Sequence, residues 1–394
     1  MPEAFYQDFL QERKKSGRFR SLRSMGPTRG GRTRLGRKTL VNFSSNNYLG
    51  LAEHQELNRR ARAWTREWGT GATASRLVCG NLEIFEQVEG RLAHGKGTEA
   101  GLLFSSGFQA NASLLPALFD GKVLGADPLV FTDKLNHASL HHGCKVAGVK
   151  QIRYHHNDLG HLESLLKKQG DAARSKFIVT ESVFSMDGDR VDMAELVRLK
   201  EEHNAFLMVD EAHAMGILGI NGFGMAADYP GRIDLVMGTF SKALGGFGAY
   251  VGCSKILKDY LINRADGFIY TTALPPAVLG AMDAALELLP SLWWERQTLL
   301  NNAEKVRKAF QAAGLDTLNS STQIIPVVTG SERAALEAAR ALEKEGILGV
   351  AIRPPTVPEG TSRLRFSLTA AHDIEDVEQL IEAVIRLLGK RGAS

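Results

Sequence analysis

From about residue 98 the chain settles into short apolar runs separated by amphipathic stretches. EAGLLFSS leads into a helix-like segment ending near Leu118, DPLVFTD precedes HASLHHGCKVAG, and KQIRYH precedes LGHLESLLKKQG. KFIVTES is followed by MAELVRLKEEH, and then come AFLMVDEAH, DLVMGTFSK and GAYVGCS. Short β-favouring runs alternating with helical patterns of roughly 10–15 residues predict βαβ units and a mostly parallel sheet, an α/β protein.

The flanks follow other patterns. Residues 3–15 set apolar and charged positions at helical spacing, with Gly17 as a stop. Residues 26–38, rich in Gly, Arg and Thr, read as loop. Beyond about residue 275, residues 275–289 and 293–313 read as long helices. QIIPVVTG, a helix over 333–345, the strand-like SRLRFSL and an amphipathic helix over 374–388 complete a smaller α+β unit. The expected organisation is an N-terminal helix and arm over 1–50 that packs with the small domain, a large domain over 51–285 and the small domain over 286–394.

At 394 residues, 44% hydrophobic and 23% charged, the composition is that of an ordinary globular chain with a sizeable core. Cys79, Cys144 and Cys253 are too few and too scattered for a disulfide framework, which points to a reducing compartment. There is no run of 18 apolar residues, so no membrane span is expected. MPEAFYQDFLQERKK lacks an apolar signal region, and its acids Glu3, Asp8 and Glu12 argue against a transit peptide. A cytoplasmic protein is the expectation. The net charge of +4 conceals an arm over residues 11–38 carrying +10 on a body carrying −6. A protein that coats nucleic acid would spread its positive charge over a face of the fold, so no nucleic-acid partner is expected.

In an open α/β sheet, ligands bind beyond the carboxyl ends of the strands. Five such ends carry reactive or phosphate-binding residue types: Ser105-Ser106-Gly107-Phe108, His137, Ser182 with Ser185, Asp210-Glu211-Ala212-His213, and Thr239-Phe240-Ser241-Lys242. A lysine beside Ser, Thr and Gly forms a Schiff base with an aldehyde cofactor. An aspartate can pair with a pyridinium nitrogen. A Gly-led helix start offers N–H groups to a phosphate, and an imidazole can cover a ring face. Competing motifs are weaker. Gly69-Thr70-Gly71-Ala72-Thr73-Ala74 follows no apolar strand, and no P-loop exists. His137, His141, His142 and Cys144 are zinc-ligand types, but without HExxH or CxxC no metal is expected. A nucleic-acid tether built on the basic arm would leave the five strand ends without a role.

The segments NFSSNNYLGL, LFSSGFQAN, DKLNHASL, TESVFSMDGD, LMVDEAHAMGILG, GTFSKALGG, YTTALPP and RPPTVPEGTSRLRFSLTAAH span about residues 42–372. Together they resemble the α-oxoamine synthases, pyridoxal 5'-phosphate (PLP) enzymes of the type I aminotransferase fold. The family condenses an amino acid with an acyl thioester and releases CO2. AIRPPTVPEGTSRLRFSLTAAH is most similar to members of the biotin pathway that join L-alanine to a pimeloyl thioester, on CoA or an acyl carrier protein. Sister enzymes use glycine with acetyl-CoA or succinyl-CoA, or serine with palmitoyl-CoA.

The resemblance implies roles by position. Lys242 would be the Schiff-base lysine and later the acid/base at Cα, and Asp210 would pair with the pyridinium nitrogen. His213 and Ser185 would contact the phenolic oxygen side, and His137 would stack on the ring. Gly107, Phe108 and Thr239 would hold the phosphate, with Thr272 supplied by the second subunit of a homodimer. Asn46 would line the substrate side, Arg365 would hold the amino-acid carboxylate, and Arg20, Arg353 and Thr356 would line the acyl path. GATASRLVCGN departs from the family pattern, with Ala72, Ala74 and Cys79 where relatives often carry Gly or Ser.

Overall fold

The structure, a computed structural model, describes residues 2–170 and 174–389. The strands are, in chain order, β1 (Met25–Arg29), β2 (Arg32–Leu35), β3 (Lys38–Asn42), β4 (Ala100–Phe104), β5 (Leu129–Asp133), β6 (Gln151–Tyr154) and β7 (Lys176–Glu181). Then follow β8 (Ala205–Asp210), β9 (Leu235–Thr239), β10 (Ala249–Cys253), β11 (Ile324–Gly330), β12 (Ile347–Leu348), β13 (Val350–Ile352) and β14 (Ser362–Ser367). The chain forms two compact units. One takes the chain up to Gly50, Ser185–Asp189 and the chain from Gln297 onward; the other holds Leu51–Phe184 and Arg190–Arg296.

The larger unit is built on a seven-stranded sheet in the order β4-β10-β9-β8-β7-β5-β6. β5 to β9 pair in parallel, and β10 runs antiparallel to both β4 and β9. β4 therefore points the same way as the parallel strands, and its carboxyl end lies on the same edge as theirs. The strands read as continuous apolar runs because both faces are covered. Along β7, Phe177 and Val179 join one core with Leu102, Val130, Met208 and Met237. Ile178 joins the other, with Phe131, Leu207, Val209 and Val236.

The other unit contains two sheets, β1-β2-β3-β12 and β11-β14-β13. The segment over 26–38 is not the loop that its composition suggests. β1 and β2, then β2 and β3, pair antiparallel, and β12 adds to β3 in parallel. Thr33 is 1% exposed while Arg34 beside it is exposed, so the period-two alternation of a strand is present, with Thr as the inward residue. Gly31 makes the β1–β2 turn at φ +74°, where a Cβ would come within 2.7 Å of His372 Cδ2, so glycine is required there.

The basic arm is held within this unit by acids. Arg18 pairs with Glu332 and Glu359 at 2.9 Å each, Arg23 with Glu343 at 2.8 Å, and Arg32 with the buried Asp376 at 2.5 Å. Three of the eleven cations in the arm are engaged in this way. Among the described residues, no helix is long and apolar enough to cross a membrane.

Candidate active site

In the larger unit, the loop after β9 presents Lys242. Gly245 N–H donates to the Lys242 carbonyl (2.9 Å) and Gly246 N–H to that of Phe240 (2.8 Å). Gly245 sits at φ +64°, and a Cβ there would lie 2.3 Å from Ala52 N, so only glycine lets the loop close this tightly. The half-buried Lys242 is thereby set with Nζ 2.7 Å from Nε2 of the buried His213. Thr239, at the end of β9, donates its hydroxyl to the Gly248 carbonyl at 2.7 Å and lies 2.7 Å from Ser241 Oγ.

Asp210 ends β8 and is 4% exposed. Its Oδ1 accepts from Ala212 N–H (2.9 Å) and its Oδ2 from Asn111 Nδ2 (3.0 Å). The same Asn111 amide donates to Ser139 Oγ at 2.9 Å, and Ser139 Oγ lies 2.7 Å from His137 Nδ1. His137 caps the helix over Ala138–Val146. Burial pushes the imidazole below its ordinary pKa, the Lys242 and His141 charges add to this, and Asp210 opposes it. The ring is neutral at neutral pH. His137 N–H donates to Glu181 Oε1 at the end of β7. Burial, and then the charge of Asp210, push Glu181 well above the usual carboxylate range.

At the end of β4, Ser106 caps the helix Gly107–Leu118. Its Oγ takes the Gln109 N–H (3.2 Å) and its carbonyl takes that of Ala110 (2.9 Å). The N–H groups of Gly107 and Phe108 are left as the open donors of that helix start, a ready anion site. Thr272 is exposed and forms an isolated antiparallel bridge with Ser75.

The residues read as zinc-ligand types are engaged elsewhere. His141 Nδ1 lies 2.7 Å from Gln151 Oε1, the His142 ring lies 5.2 Å from that of Phe108, and burial pushes the Cys144 thiol up to about 12.

In the other unit, Arg365 on β14 is 4% exposed. Its Nε donates to the Ser185 carbonyl (2.6 Å), Nη1 to Ser367 Oγ (2.9 Å) and Asn46 Oδ1 (3.3 Å), and Nη2 to Asn46 Oδ1 (3.2 Å). Every one of these acceptors is neutral. Arg353 donates to the Gly17 carbonyl, and Arg20 reaches Thr356 Oγ1 at 3.3 Å. These three line a cleft of about 1060 Å³, along with Arg18, Arg23 and Arg340.

Sequence reasoning missed Asn111, Ser139, Glu181 and Tyr48, each of which touches an expected site residue, Tyr48 by donating its hydroxyl to Asn46 Oδ1 at 3.0 Å. Asn111 and Ser139 carry one readable signal: polar side chains that their apolar helix neighbours would bury. Also unread was the fully buried ion pair Lys96–Glu211 (2.5 Å), which fixes the residue after Asp210.

Residues 38–384 match the aminotransferase class I and II family. The chain is 56% identical over 348 residues to 8-amino-7-oxononanoate synthase of Gluconacetobacter diazotrophicus, covering 88% of this chain and 87% of that protein. It is 46% identical to the Geobacter sulfurreducens protein of that name, covering 96% of each. Serine palmitoyltransferase from S. paucimobilis, solved with bound PLP, superposes with a TM-score of 0.89 at 26% identity, covering 97% of this chain and 96% of that one. The chain belongs to the aminotransferase class I and II family and, within it, to the α-oxoamine synthases. It is a PLP-dependent acyltransferase with the type I fold.

The residues present fit PLP. A lysine amine with an imidazole neighbour, a buried carboxylate that accepts two hydrogen bonds, and two open N–H groups at a helix start are the donor set that an aldehyde, a pyridine nitrogen and a phosphate require.

Proposed function

We propose that the protein condenses L-alanine with a pimeloyl thioester, carried on CoA or an acyl carrier protein, to give 8-amino-7-oxononanoate, CO2 and the free thiol carrier, a step of biotin biosynthesis. The observation that carries this reading is Arg365, a buried cation whose hydrogen-bond acceptors are all neutral. A buried charge needs a partner, and an amino-acid carboxylate supplies one in the bidentate geometry that arginine favours. The identity of 46–56% to proteins named 8-amino-7-oxononanoate synthase supports alanine and a pimeloyl donor. The arginine-lined cleft supports an anionic acyl donor.

PLP, when bound, acts as an electron sink for the carbanion at Cα. The protein's own groups do the rest. Lys242 takes the Cα proton and later returns it, with His213 beside its amine. Asp210 would pair with the pyridinium nitrogen. His137, neutral, would cover the cofactor ring. Ser185 and His213 would serve the phenolic oxygen, and Gly107, Phe108 and Thr239 would hold the phosphate. Asn46 and Arg365 orient the amino acid, and Arg20, Arg353 and Thr356 guide the acyl chain.

We infer a homodimer in which the exposed Thr272 of a second copy completes the phosphate site. The three free cysteines support a reducing, cytoplasmic setting. The deciding experiment sets alanine, glycine and serine against pimeloyl-, acetyl- and palmitoyl-CoA and reads thiol and CO2 release. Alanine with pimeloyl-CoA should lead. Faster turnover of glycine with acetyl-CoA would replace this reading with that of a glycine C-acetyltransferase.

A further inference from the structure

Asn111 is fully buried in the helix Gly107–Leu118, and both hydrogens of its amide are committed. One goes to Asp210 Oδ2 at 3.0 Å and the other to Ser139 Oγ at 2.9 Å. Its Oδ1 has no hydrogen-bond partner among the described residues. Leaving a buried acceptor unpaired is unfavourable. The reverse orientation of the amide would turn that oxygen toward a carboxylate, so the observed one is forced.

Proton directions then follow along the chain of contacts. Because Asn111 donates to Ser139 Oγ, the serine hydroxyl proton is directed onward, to His137 Nδ1 at 2.7 Å. Ser139 N–H also points at His137 Nδ1, at 3.3 Å. An Nδ1 that accepts twice carries no proton, so a neutral His137 holds its proton on Nε2.

We propose that Asn111 is a positioning residue that sets Asp210 and His137 as one unit, fixing the orientation of the acid and holding the imidazole as its Nε2–H tautomer. No step of the condensation requires Asn111 to touch substrate or cofactor. It acts through the two residues that do, so the inference rests on the roles given above to Asp210 and His137.

The test is nitrogen-15 NMR of the full-length, PLP-loaded protein labelled at histidine. In the wild type, His137 should give the Nε2–H pattern. In Asn111→Leu the serine hydroxyl loses its donor and is free to accept from His137, so a population with the proton on Nδ1 should appear. A purely structural asparagine would alter the melting temperature and leave the tautomer alone. If Asn111→Leu does not fold, Ser139→Ala serves instead. It keeps the Asp210 contact but removes the hydroxyl donor, leaving the residue 139 N–H at 3.3 Å as the one donor to Nδ1, and should give a mixture of tautomers. A wild-type Nδ1–H pattern, or an unchanged pattern in a folded variant, would overturn the proposal. PLP titration of the stripped full chain gives a second reading: Asn111→Leu should weaken binding about tenfold, the worth of one hydrogen bond to a charged group, and unchanged binding would count against it. Failure of the proposed roles would show separately, as Asp210→Asn or His137→Ala retaining turnover.

Discussion

Lys242 Nζ lies 2.7 Å from His213 Nε2, on the turn that follows β8. The two residues come from successive strand ends. Replacing Lys242 with Ala should abolish the visible absorbance of lysine-bound PLP and lower turnover by roughly 10³-fold or more, since it removes both the nucleophile and the acid/base. Absorbance of the purified variant with added PLP, alongside thiol release, checks this. Turnover within tenfold of wild type would assign the proton transfer to another group.

Arg365 should be far less tolerant of conservative change than its surroundings suggest. Arg365→Lys retains the charge but loses the planar fork that spans Asn46, Ser367 and Ser185. The expected result is a rise of roughly 10- to 100-fold in KM for alanine, by the loss of about 1.5–3 kcal/mol for hydrogen bonds to a charged group. KM for the thioester should stay near its wild-type value. Equal effects on both substrates would argue that Arg365 supports the fold and does not bind the carboxylate.

The arm separates into two classes of arginine. Arg18, Arg23 and Arg32 are paired with acids, whereas Arg20 reaches only Thr356 at the cleft. Arg20→Ala should raise the thioester KM about tenfold, the loss of one charge-assisted contact. The double variant Arg29→Ser, Arg34→Ser should leave it unchanged at low and moderate salt. A salt-dependent fall in affinity for the double variant would restore a steering role to the whole arm.

Much of the site was legible because strand ends are punctuated in sequence: an apolar run stops, and Asp210 or Lys242 follows within a few residues. What stayed hidden depends on partners far away in the chain. β3 is fixed by pairing Val41 and Asn42 with Ile347 and Leu348, and nothing local in an arginine-rich stretch announces that partner. Asn111 reads as one polar residue in an apolar helix until its amide meets Asp210 and Ser139, 99 and 28 residues away in sequence.

Lys96 and Glu211 form a pair with no exposure of either side chain. Glu211 also accepts from Ala226 N–H at 2.9 Å, and Lys96 lies 5.2 Å from the Tyr250 ring centroid. Removing one partner strands the other as a buried charge. Glu211→Gln or Lys96→Met should each cost about 3–5 kcal/mol. The double replacement Lys96→Met, Glu211→Leu should recover most of that loss, because desolvating two ions offsets much of their attraction. Urea unfolding of the three variants gives the coupling directly. Additive losses would mean that the two residues act independently.

His372 gives the fold a dependence on pH that can be isolated. Burial lowers its pKa to about 4, with the Arg32 charge adding to the effect, while its contacts with Asn42 and Asp373 oppose it. Its Nδ1 accepts from Thr369 N–H at 3.2 Å, and its ring lies 4.1 Å from that of Phe43. The ordinary histidine value is 6.5, so as pH falls the unfolded chain takes up the proton first. The contribution is whole above pH 6.5, declines between 6.5 and about 4, and changes no further below that. The loss amounts to roughly 3 kcal/mol, at 1.36 kcal/mol per pKa unit. His372→Gln should be less stable than wild type at pH 7.5, through lost packing against Phe43, yet its stability should fall less steeply on acidification. Because the other titrating groups are common to both proteins, the difference between their urea midpoints from pH 7.5 to 4.5 reports His372 alone. Parallel curves would show that the imidazole takes up its proton in the folded chain as readily as in the unfolded one.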